Sequence, residues 1–378
     1  MSSDGTTGTP AGAAAGQEIA CRAATPADRD GILAMLERAF GMPHDVARWD
    51  WLYGAGNPLS PELQCWVAEA GGKIVGQHAG YALRVAHAGR EITGYISIES
   101  ATDPDFQGRG ISTILTQLAH EGCARIGHAY IAGFPNEFSG RARYGREGWV
   151  EVRPFPVFIR PLGNATPIVA ARKPALAPLA RLADATAKLA LLPAAAAVAR
   201  GRLAGARVVP LHEAGPWADA LWEQLRPLHG TGQVRDARWL QWRYFDGPSP
   251  YRRYGLERGD SPVGFAALAV RPFKAGGHTA DLMELLVAAD DRAGASALIG
   301  RAILDAAAEG AWALRAIVSP RHPHLAALRH AGFASLPQRF RGHGYSYGLK
   351  VLDERKALPN QMVHMTDWYI SGADLDFL

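Results

Sequence analysis

The sequence predicts an α/β protein with mixed sheets, made of two similar domains in tandem. First, the two halves of the 378-residue chain match each other in order along their length. Second, stretches with strand periodicity alternate with stretches of helical periodicity in the same order in both halves. Third, 48% hydrophobic and 20% charged residues are enough to bury two sizeable cores. A chain of this length is typical of two domains.

Five residue pairs carry the match between the halves. They are Trp51 and Trp242, Tyr53 and Tyr244, Gly76 and Gly264, Glu99 and Glu284, and Gly148 and Gly332. Their separation falls steadily from 191 positions for the first pair to 184 for the last. Loops that shorten along a duplicated domain produce such a drift, whereas chance matches scatter. The sequence therefore predicts two copies of one domain.

The first copy predicts strands at residues 18–23, 65–69, 73–85, 92–101 and 129–134, with a last strand from Trp149. Thr25, Pro26 and Asp28 form the start signal of a first helix. The residues at 70–72, Ala-Gly-Gly, predict a hairpin turn between the second and third strands. Apolar residues at helical spacing predict another helix from Ile111, and a short helix is expected at 141–146.

The second copy begins near Val208 and repeats this order, with helices at 216–228 and 295–308, hairpin strands within 254–273, and strands near Ala313 and Arg339. The predicted organisation is a disordered tail (1–17), a first domain (18–161), a helical linker (162–207), a second domain (208–350) and a C-terminal tail (351–378). The tail is expected to fold over the cleft between the two domains.

The linker is rich in alanine and leucine and strongly basic. Its cations are Arg172, Lys173, Arg181, Lys188, Arg200 and Arg202, against the single carboxylate of Asp184. Leucines at 176, 179, 182 and 189 suggest amphipathic helices. Such helices either pack over the junction of the two domains or contact an anionic membrane surface weakly, and the sequence leaves both readings open.

A glycine-rich loop joins a predicted strand to a predicted helix in the first copy, and it reads Gln107-Gly108-Arg109-Gly110-Ile111-Ser112. A loop that opens a helix presents unpaired backbone N–H groups and the positive end of the helix dipole. Glycines remove the Cβ atoms that would hold a phosphate away, and Arg109 adds positive charge. The loop predicts a site for a pyrophosphate. The alternative is a tight turn with no ligand.

The order of elements and this loop resemble the GNAT superfamily of acyl-CoA-dependent N-acyltransferases, whose motif is Gln/Arg-x-x-Gly-x-Gly/Ala. Gln107 and Gly110 fit that motif, and Ser112 departs from it at the last position. A second resemblance lies about 35 residues later, where Tyr144 precedes Gly148-Trp149 as the family's tyrosine precedes Gly-Phe. The second copy has Asp290 and Asp291 at the corresponding helix start, so it is expected to lack the cofactor motif.

The resemblance implies acyl-CoA, as acetyl-CoA or a short-chain acyl-CoA, as the co-substrate of the first copy, with no metal. The residues it implies for cofactor binding are Ala101, Thr102, Gln107, Gly108, Arg109, Gly110, Ile111, Ser112 and Asn136. It also implies that Tyr144 donates a proton to the departing thiolate; packing against the cofactor is the alternative. Asn136 serves equally well as a turn residue.

Strand alternation places Glu99 on the same face as Ser97 and Ala101. A carboxylate on a central strand is costly unless it is paired or faces a cleft. Glu99 is therefore a candidate general base, directly or through a water, and Glu284 at the matching place in the second copy favours a structural role instead.

Three further residues are candidates for acceptor binding: His78, and Trp368 and Asp374 of the C-terminal tail, which are suited to a cationic amine. A lone histidine is more often structural. The aromatic clusters around Trp51 and Trp242 occur in both copies, which favours a packing role.

The predicted reaction is transfer of an acyl group from acyl-CoA to the primary amine of a small polar acceptor, by direct attack. Tandem domains resemble acyltransferases of nucleotide-linked amino sugars and also aminoacyltransferases that use aminoacyl-tRNA; an intact pyrophosphate loop favours CoA. The alternatives are acylation of an amino acid, peptide or natural-product amine, or a non-catalytic CoA-binding scaffold protein.

Composition limits the classes of partner and the cellular location that the sequence supports. A formal net charge of +4 from 40 basic and 36 acidic residues gives no signal for nucleic-acid binding. Cys21, Cys65 and Cys123 form no CxxC pair, which disfavours a disulfide framework and a zinc site and fits a reducing cytoplasm. The longest apolar run, 189–199, is short for a bilayer span, so we expect a cytoplasmic protein with no transmembrane segment.

Overall fold

The computed structural model describes residues 17–54, 57–60, 62–87, 89–135, 143–145, 147–152, 157–189, 191–259, 261–273, 276–337, 347–356 and 368–375. The chain divides into two compact units. The first unit consists of Met1–Tyr81 and Ser97–Ile126, and the second of Ala82–Ile96 and Gly127–Leu378. Two long strands contribute residues to both units.

The strands are β1 (Ile19–Ala23), β2 (Cys65–Ala70), β3 (Lys73–His87), β4 (Arg90–Thr102), β5 (Tyr130–Gly133), β6 (Val150–Val152), β7 (Val157–Pro161), β8 (Arg207–Pro210), β9 (Thr231–Gln233), β10 (Tyr251–Arg258), β11 (Ser261–Pro272), β12 (His278–Val287), β13 (Ala311–Ile317), β14 (Ala334–Ser335), β15 (Tyr347–Val351) and β16 (Trp368–Tyr369). The α-helices are α1 (Arg29–Phe40), α2 (Val46–Tyr53), α3 (Ile111–Ile126), α4 (Thr166–Arg172), α5 (Ala177–Leu189), α6 (Leu192–Leu203), α7 (Trp217–Leu225), α8 (Ala237–Leu240), α9 (Arg292–Ala308) and α10 (Leu325–His330). A π-helical segment, Gln241–Asp246, follows α8 directly.

In the first unit, β1, β2 and the first part of β3 form an antiparallel sheet. Helix α3 packs closely on this sheet at Gly122. A Cβ at this position would lie only 2.2 Å from the ring of Trp66, so the close packing requires glycine. Gly76 allows β3 to approach the start of α3, since a Cβ there would lie 2.9 Å from Cγ2 of Ile111 and 3.5 Å from the carbonyl oxygen of Ala101. Two glycines thus bring the strands and the N-terminal end of α3 together.

The second unit contains a sheet of strands in the order β14-β7-β13-β12-β11-β10-β8. Strands β10, β11 and β12 pair antiparallel, whereas β12 and β13 are parallel and are connected through α9. The buried face of α9 packs on this sheet together with Ala194 and Ala197 of α6. Close packing of α6 on α9 depends on Gly300, where a Cβ would lie 2.6 Å from the carbonyl oxygen of Ala194.

Two strands of the second unit pair in unexpected places. Strand β7 lies in the first domain predicted from the sequence, but it pairs antiparallel with β13. Strand β15 lies at the end of the second predicted domain, but it pairs with β5 and β6. The pairing of β7 and of β15 crosses the predicted domain boundaries. The boundaries themselves stay predictions.

The residues of the internal repeat lie on corresponding elements. Gly76 is on β3 and Gly264 on β11; Glu99 is on β4 and Glu284 on β12. Strand β12 contains a register shift beside Glu284, at Met283, and Glu99 has a left-handed backbone with φ of 50°. Both strands are therefore irregular at the matched glutamate, although the repeat itself stays a prediction.

Several predicted elements can be compared with the structure. The N-terminal signal at Thr25 starts a 3₁₀ turn, Pro26–Asp28, from which α1 continues, and both the N–H and the hydroxyl of Thr25 donate to Asp28. Of the short helix expected at 141–146, only residues 143–145 and their helical turn are described. The strand expected near Arg339 lies outside the described residues.

The linker contains one segment, Pro174–Arg202, that is long and apolar enough to cross a membrane by length and composition alone. It has 29 residues, with a mean hydropathy of 1.4 and 12% burial over its most apolar stretch. The sequence-based expectation considered only the uninterrupted apolar run, which is shorter. Within this segment the structure has helices α5 and α6.

Candidate active site

A cleft with a volume of about 290 Å³ opens in the first unit between the end of β4 and the start of α3. It is lined by Ser100, Ala101, Thr102, Phe106, Gln107, Gly108, Gly110, Ile111 and Ser112. The structure thus brings together the predicted cofactor residues of the strand end and of the glycine loop. Phe106 is an additional lining residue that the sequence-based analysis did not single out.

Gly108 and Gly110 determine the shape of this cleft. Both have left-handed backbones, with φ of 78° and 79°, which residues with a Cβ rarely adopt. A Cβ built on either glycine would have no other described part of the chain within 4 Å. The glycines are therefore not required by protein packing on this side, and the space beside them is free for a ligand to approach the backbone.

Helix α3 begins directly at this loop. The N–H groups of Thr113 and Ile114 both donate to the carbonyl oxygen of Gly110, at 3.0 and 3.2 Å, and so close the first helical turn. Ile111 and Ser112 precede them and line the cleft. The N–H groups at the start of an α-helix have no partner within the helix, and they carry the positive end of its dipole. This arrangement suits an anion.

Arg109 stands beside the cleft. Its guanidinium carbon lies 4.8 Å from the centre of the Phe106 ring, and Nη2 donates to the carbonyl oxygen of Asp105 at 3.4 Å. The ring of Phe106 itself lines the cleft. The stacking keeps a positive charge near the predicted pyrophosphate site, as the sequence predicts for Arg109.

The connection from β4 to α3 is anchored by Asp103, which the sequence-based analysis missed. Asp103 is buried; its carboxylate accepts from Arg38 at 2.6 Å and lies 3.5 Å from the Lys73 ammonium. It also accepts from the N–H of Asp105 at 3.1 Å. Burial by itself raises the pKa of Asp103, but these donors and the positive charges outweigh it, so the pKa lies below its usual value. The Asp-Pro-Asp sequence after the strand is a capping pattern, and it could have indicated Asp103 as the start of a helical turn.

The backbone of β4 departs from a regular strand at Glu99, whose φ is 50°. The carbonyl oxygen of Glu99 accepts from Nε2 of Gln77 at 2.7 Å. The hydroxyls of Ser97 and Ser100 lie 3.4 Å apart, although residues three apart point to opposite faces of a regular strand. The alternation expected through Ser97, Glu99 and Ala101 is therefore wrong at this point, because the left-handed residue rotates the following part of the strand.

The Glu99 carboxylate is paired with helix α2. Oε1 accepts from Nε of Arg48 at 3.2 Å, and Oε2 accepts from the hydroxyl of Tyr53 at 3.0 Å. The Glu99 side chain is 15% exposed. These contacts give Glu99 a structural role, which the sequence-based analysis had left open beside that of a base. Its catalytic role stays a prediction.

His78 is buried in the first unit. Its Nε2 lies 3.2 Å from the hydroxyl of Ser97, and its Nδ1 lies 3.4 Å from the hydroxyl of Thr116 on α3. The imidazole thus bridges β4 and α3. These contacts favour the structural interpretation of this histidine over acceptor binding.

Tyr144 belongs to the second unit, whereas Glu99 and the cleft belong to the first. The Tyr144 side chain is half-buried, and its hydroxyl lies 2.7 Å from the place where a Cβ on Gly348 would be. The neighbouring Arg143 is buried and lies 4.4 Å from the centre of the Trp149 ring. Glycine at 348 therefore makes room for the phenol. Asn136 lies outside the described residues.

The C-terminal segment 368–375 folds back into the second unit. Strand β16 pairs parallel with β9, and the Trp368 ring packs edge-on against Tyr130 and Tyr347. Trp368 and Asp374 both line a cavity of about 20 Å³, which has room for about one water molecule. The structure brings these two predicted acceptor residues together, but the cavity between them is too small for an amino sugar.

The Asp374 carboxylate meets a cation of the chain itself. Nη2 of Arg235 lies 2.6 Å from Oδ2 of Asp374, and Nε of Arg235 lies 3.0 Å from Oε2 of Glu284. The hydroxyls of Ser371 and Tyr369 donate to the same glutamate at 3.0 and 2.9 Å. Arg235 is fully buried, and the two carboxylates raise its pKa against the opposing effect of burial. Sequence reasoning missed Arg235, which had no neighbouring motif to mark it.

Helix α9, which the predicted repeat matches with α3, begins differently from α3. At the start of α9 the Asp291 carboxylate accepts from the N–H of Gly294 at 2.8 Å and pairs with Arg258 at 2.8 Å. The helix N-terminus is therefore closed by a carboxylate of the chain. This carboxylate takes the place that a bound anion would need, and the loss of the cofactor motif stays a prediction.

Residues 20–151 match a family described as an acetyltransferase (GNAT) domain. No curated protein matches the chain. The predicted α/β class with mixed sheets is confirmed, and residues 20–151 are similar to a GNAT acetyltransferase domain.

Solved structures with a similar fold include two that are described as GCN5-related N-acetyltransferases. A GCN5-related N-acetyltransferase from Kribbella flavida has a TM-score of 0.58 at 16% identity, over 89% of this chain and 72% of that one. A GCN5-related N-acetyltransferase from Anabaena variabilis has a TM-score of 0.57 at 12% identity, over 90% and 74%. Eis1 from Mycobacterium abscessus has a TM-score of 0.51 at 16% identity, over 88% and 74%. At these identities the likeness concerns the fold alone.

Proposed function

We propose that this protein is an N-acyltransferase that moves an acetyl or other short acyl group from acyl-CoA to the primary amine of a small polar acceptor. The observation that carries the proposal is the open cleft beside Gly108 and Gly110 at the start of α3. A GNAT domain match over residues 20–151 supports the same donor, since the family uses acetyl-CoA as co-substrate.

The residues of the cleft fit the pyrophosphate of CoA. Two glycines with free space beside them let the phosphates approach backbone N–H groups, and the dipole of α3 favours a negative charge there. Arg109 adds a cation, and Gln107 and Ser112 add side chains that can form hydrogen bonds. We assign pyrophosphate binding to this loop and pantetheine binding to Ala101, Thr102 and Asn136.

The bound acyl-CoA supplies a thioester as the acyl donor. Backbone N–H groups at the end of β4, from Ser100 to Thr102, hold the thioester carbonyl and stabilise the negative charge that develops on its oxygen. The unprotonated amine attacks the carbonyl carbon directly, the new C–N bond forms and the C–S bond breaks. Glu99 accepts the proton of the amine, directly or through a water, and Tyr144 donates a proton to the departing thiolate.

For the acceptor we propose a nucleotide-linked amino sugar, on the basis of the resemblance of the tandem arrangement to enzymes of that kind. The second possibility is the amine of an amino acid, a peptide or a natural product, and a third is a CoA-binding scaffold protein without activity. The three residues expected from the sequence to bind the acceptor are left out of this proposal. His78 bridges β4 and α3, and the cavity between Trp368 and Asp374 holds about one water molecule. Three thiols without disulfides, at Cys21, Cys65 and Cys123, support a cytoplasmic location.

Titration calorimetry of the full chain with acetyl-CoA tests the donor site, with Gly110→Glu as the disruptive variant. Gly72→Glu is the matched control, because Gly72 also lies in the first unit with a φ of 76° and free space around its Cβ position. The two substitutions impose similar backbone strain, but only the first introduces a carboxylate into the cleft.

We expect one site per chain for the wild type and for Gly72→Glu, and none for Gly110→Glu. Absence of binding to the wild type would overturn the proposal. If CoA binds, release of the free thiol in the presence of candidate amines then separates an enzyme from a scaffold. Nucleotide-linked amino sugars, amino acids and peptides, tested in parallel, identify the acceptor class.

A further inference from the structure

We infer that helix α5 lies on the surface of an anionic lipid bilayer, with its leucine face in the lipid and its cations at the headgroups. The inference concerns a surface of the second unit outside the proposed catalytic cleft.

The leucine face of α5 is exposed along its length. Leu179, Leu182 and Leu189 are 65%, 68% and 69% exposed, and Leu176 just before the helix is 43% exposed. At 100° per residue these four side chains fall on one side of a helix. No residue of α5 is buried. A continuous stripe of four exposed leucines is unusual for a surface in contact only with water, and such stripes mark interaction sites.

The opposite side of α5 fixes this orientation. The Asp184 carboxylate accepts from the N–H groups of Ala165 and Thr166 at 2.9 and 2.8 Å and from the Thr166 hydroxyl at 2.6 Å. Close packing at Gly163, where a Cβ would lie 2.6 Å from the carbonyl oxygen of Asp184, supports the same attachment. Because Asp184 lies across the helix from the leucines, they point away from the rest of the second unit.

Charge identifies the partner surface as anionic. Arg172, Lys173, Arg181 and Lys188 are all exposed on or next to α5, and Arg200 and Arg202 are exposed at the end of α6. The one carboxylate of the segment, Asp184, is occupied with the start of α4. A second copy of this chain would oppose cation to cation, which disfavours self-association. Arg181 and Lys188 lie on the same side of α5 as Asp184, opposite the leucines. A helix with leucines on one face and lysine and arginine on the other is the pattern of helices that bind anionic membrane surfaces.

Geometry favours lying on the membrane over spanning it. The segment Pro174–Arg202 passes a length and composition criterion for a span, but its second half is α6, which packs on α9. Ala194 and Ala197 are buried there, and Gly201 lies against Ala297. Only α5 is free. Its 13 residues measure about 20 Å at 1.5 Å per residue, less than the roughly 30 Å of a hydrocarbon core.

The test is sedimentation of the full chain with vesicles of phosphatidylcholine alone and of phosphatidylcholine with phosphatidylglycerol. The double variant Leu179→Glu/Leu182→Glu removes the apolar face, and Arg181→Gln/Lys188→Gln removes two cations. Leu228→Glu is the matched control, because Leu228 is 50% exposed and lies outside the segment. All substituted leucines are exposed, so folding should be preserved; circular dichroism and acetyl-CoA binding check this independently.

We expect the wild type and Leu228→Glu to bind the anionic vesicles and to bind neutral vesicles much more weakly. The leucine variant should lose at least tenfold in partitioning, and each cation removed should cost about fivefold. Higher salt should weaken binding. Equal partitioning of the leucine variant and the wild type, no binding of the wild type, or a lipid-independent dimer that the leucine variant dissociates would each overturn the inference.

Discussion

The hydroxyl of Tyr53 donates to the Glu99 carboxylate at 3.0 Å, and this contact joins helix α2 to the irregular point of strand β4. Arg48, five residues before Tyr53 on the same helix, donates to the other carboxylate oxygen at 3.2 Å. The proposed general base is therefore also the attachment point of a helix, and substitutions can separate the two roles.

Replacing Tyr53 by Phe should lower the free energy of unfolding by about 1 kcal/mol, the usual net value of one hydrogen bond. The Glu99 carboxylate remains, so turnover should fall by less than about tenfold. Glu99→Gln removes the negative charge facing Arg48 and, if Glu99 is the base, should lower kcat by a further 10²-fold or so. Urea unfolding and initial rates of thiol release measure the two effects. Equal rates for Glu99→Gln and Tyr53→Phe would exclude Glu99 as the base.

Tyr144→Phe tests the proposed proton donor. The phenol lies beside Gly348, where phenylalanine fits without new contacts, so the structure should tolerate the change. We expect kcat to fall by about 10²-fold or more, because the thiolate then departs without its acid. The affinity for acetyl-CoA, measured by calorimetry, should remain close to that of the wild type. An unchanged kcat would assign Tyr144 to packing.

Arg235→Met should destabilise the second unit strongly. The change removes the positive charge that faces Glu284 and Asp374 and leaves both carboxylates without their cation. Breaking a buried ion pair in this way costs about 3–5 kcal/mol. Arg355→Met is the control, because the Arg355 side chain is 90% exposed, and it should cost less than about 0.5 kcal/mol. Thermal unfolding measures both, and similar melting temperatures would contradict the role given to Arg235.

The second unit should lose stability as the pH falls below about 6.5. Burial, with a smaller effect of nearby His324, lowers the pKa of His322 to about 3. Burial also lowers the pKa of His229 and that of His324. Between pH 6.5 and these lower values the unfolded chain binds protons that the folded chain does not. Each such histidine therefore costs about 1.4 kcal/mol per pH unit on acidification.

Urea unfolding of the wild type and of His322→Phe at pH 7, 6 and 5 measures this dependence. Phenylalanine preserves the stacking on Tyr369, whose ring centre lies 5.6 Å away, and cannot bind a proton. The variant should show a shallower loss of stability, whereas replacing the exposed His330 by Gln should leave the slope unchanged. Parallel slopes for His322→Phe and the wild type would contradict the assignment.

The local sequence was sufficient to predict where the cleft opens between β4 and α3. Glycines such as Gly108 and Gly110 indicate a left-handed backbone and a place where a ligand can approach the backbone closely. The spacing of apolar residues from Ile111 predicts that a helix starts there. These signals act over a few residues, so they are readable without knowledge of the fold. The strands β1 to β4 and helix α3 were predicted for the same reason, with errors of a few residues at their ends.

Only the tertiary structure decided which side chains meet. Asp374 was assigned to a cationic substrate from its place in the tail, but it contacts Arg235, which lies 139 positions earlier. The pairing of β7 with β13 and of β15 with β5, and the partners of Glu99 on α2, are likewise contacts between distant parts of the chain. Such contacts produce no periodic pattern in the sequence, because they depend on how the helices and strands pack and on which buried charges pair. The sequence by itself determined the elements and the cleft at the start of α3, and packing decided the partners of its charged side chains.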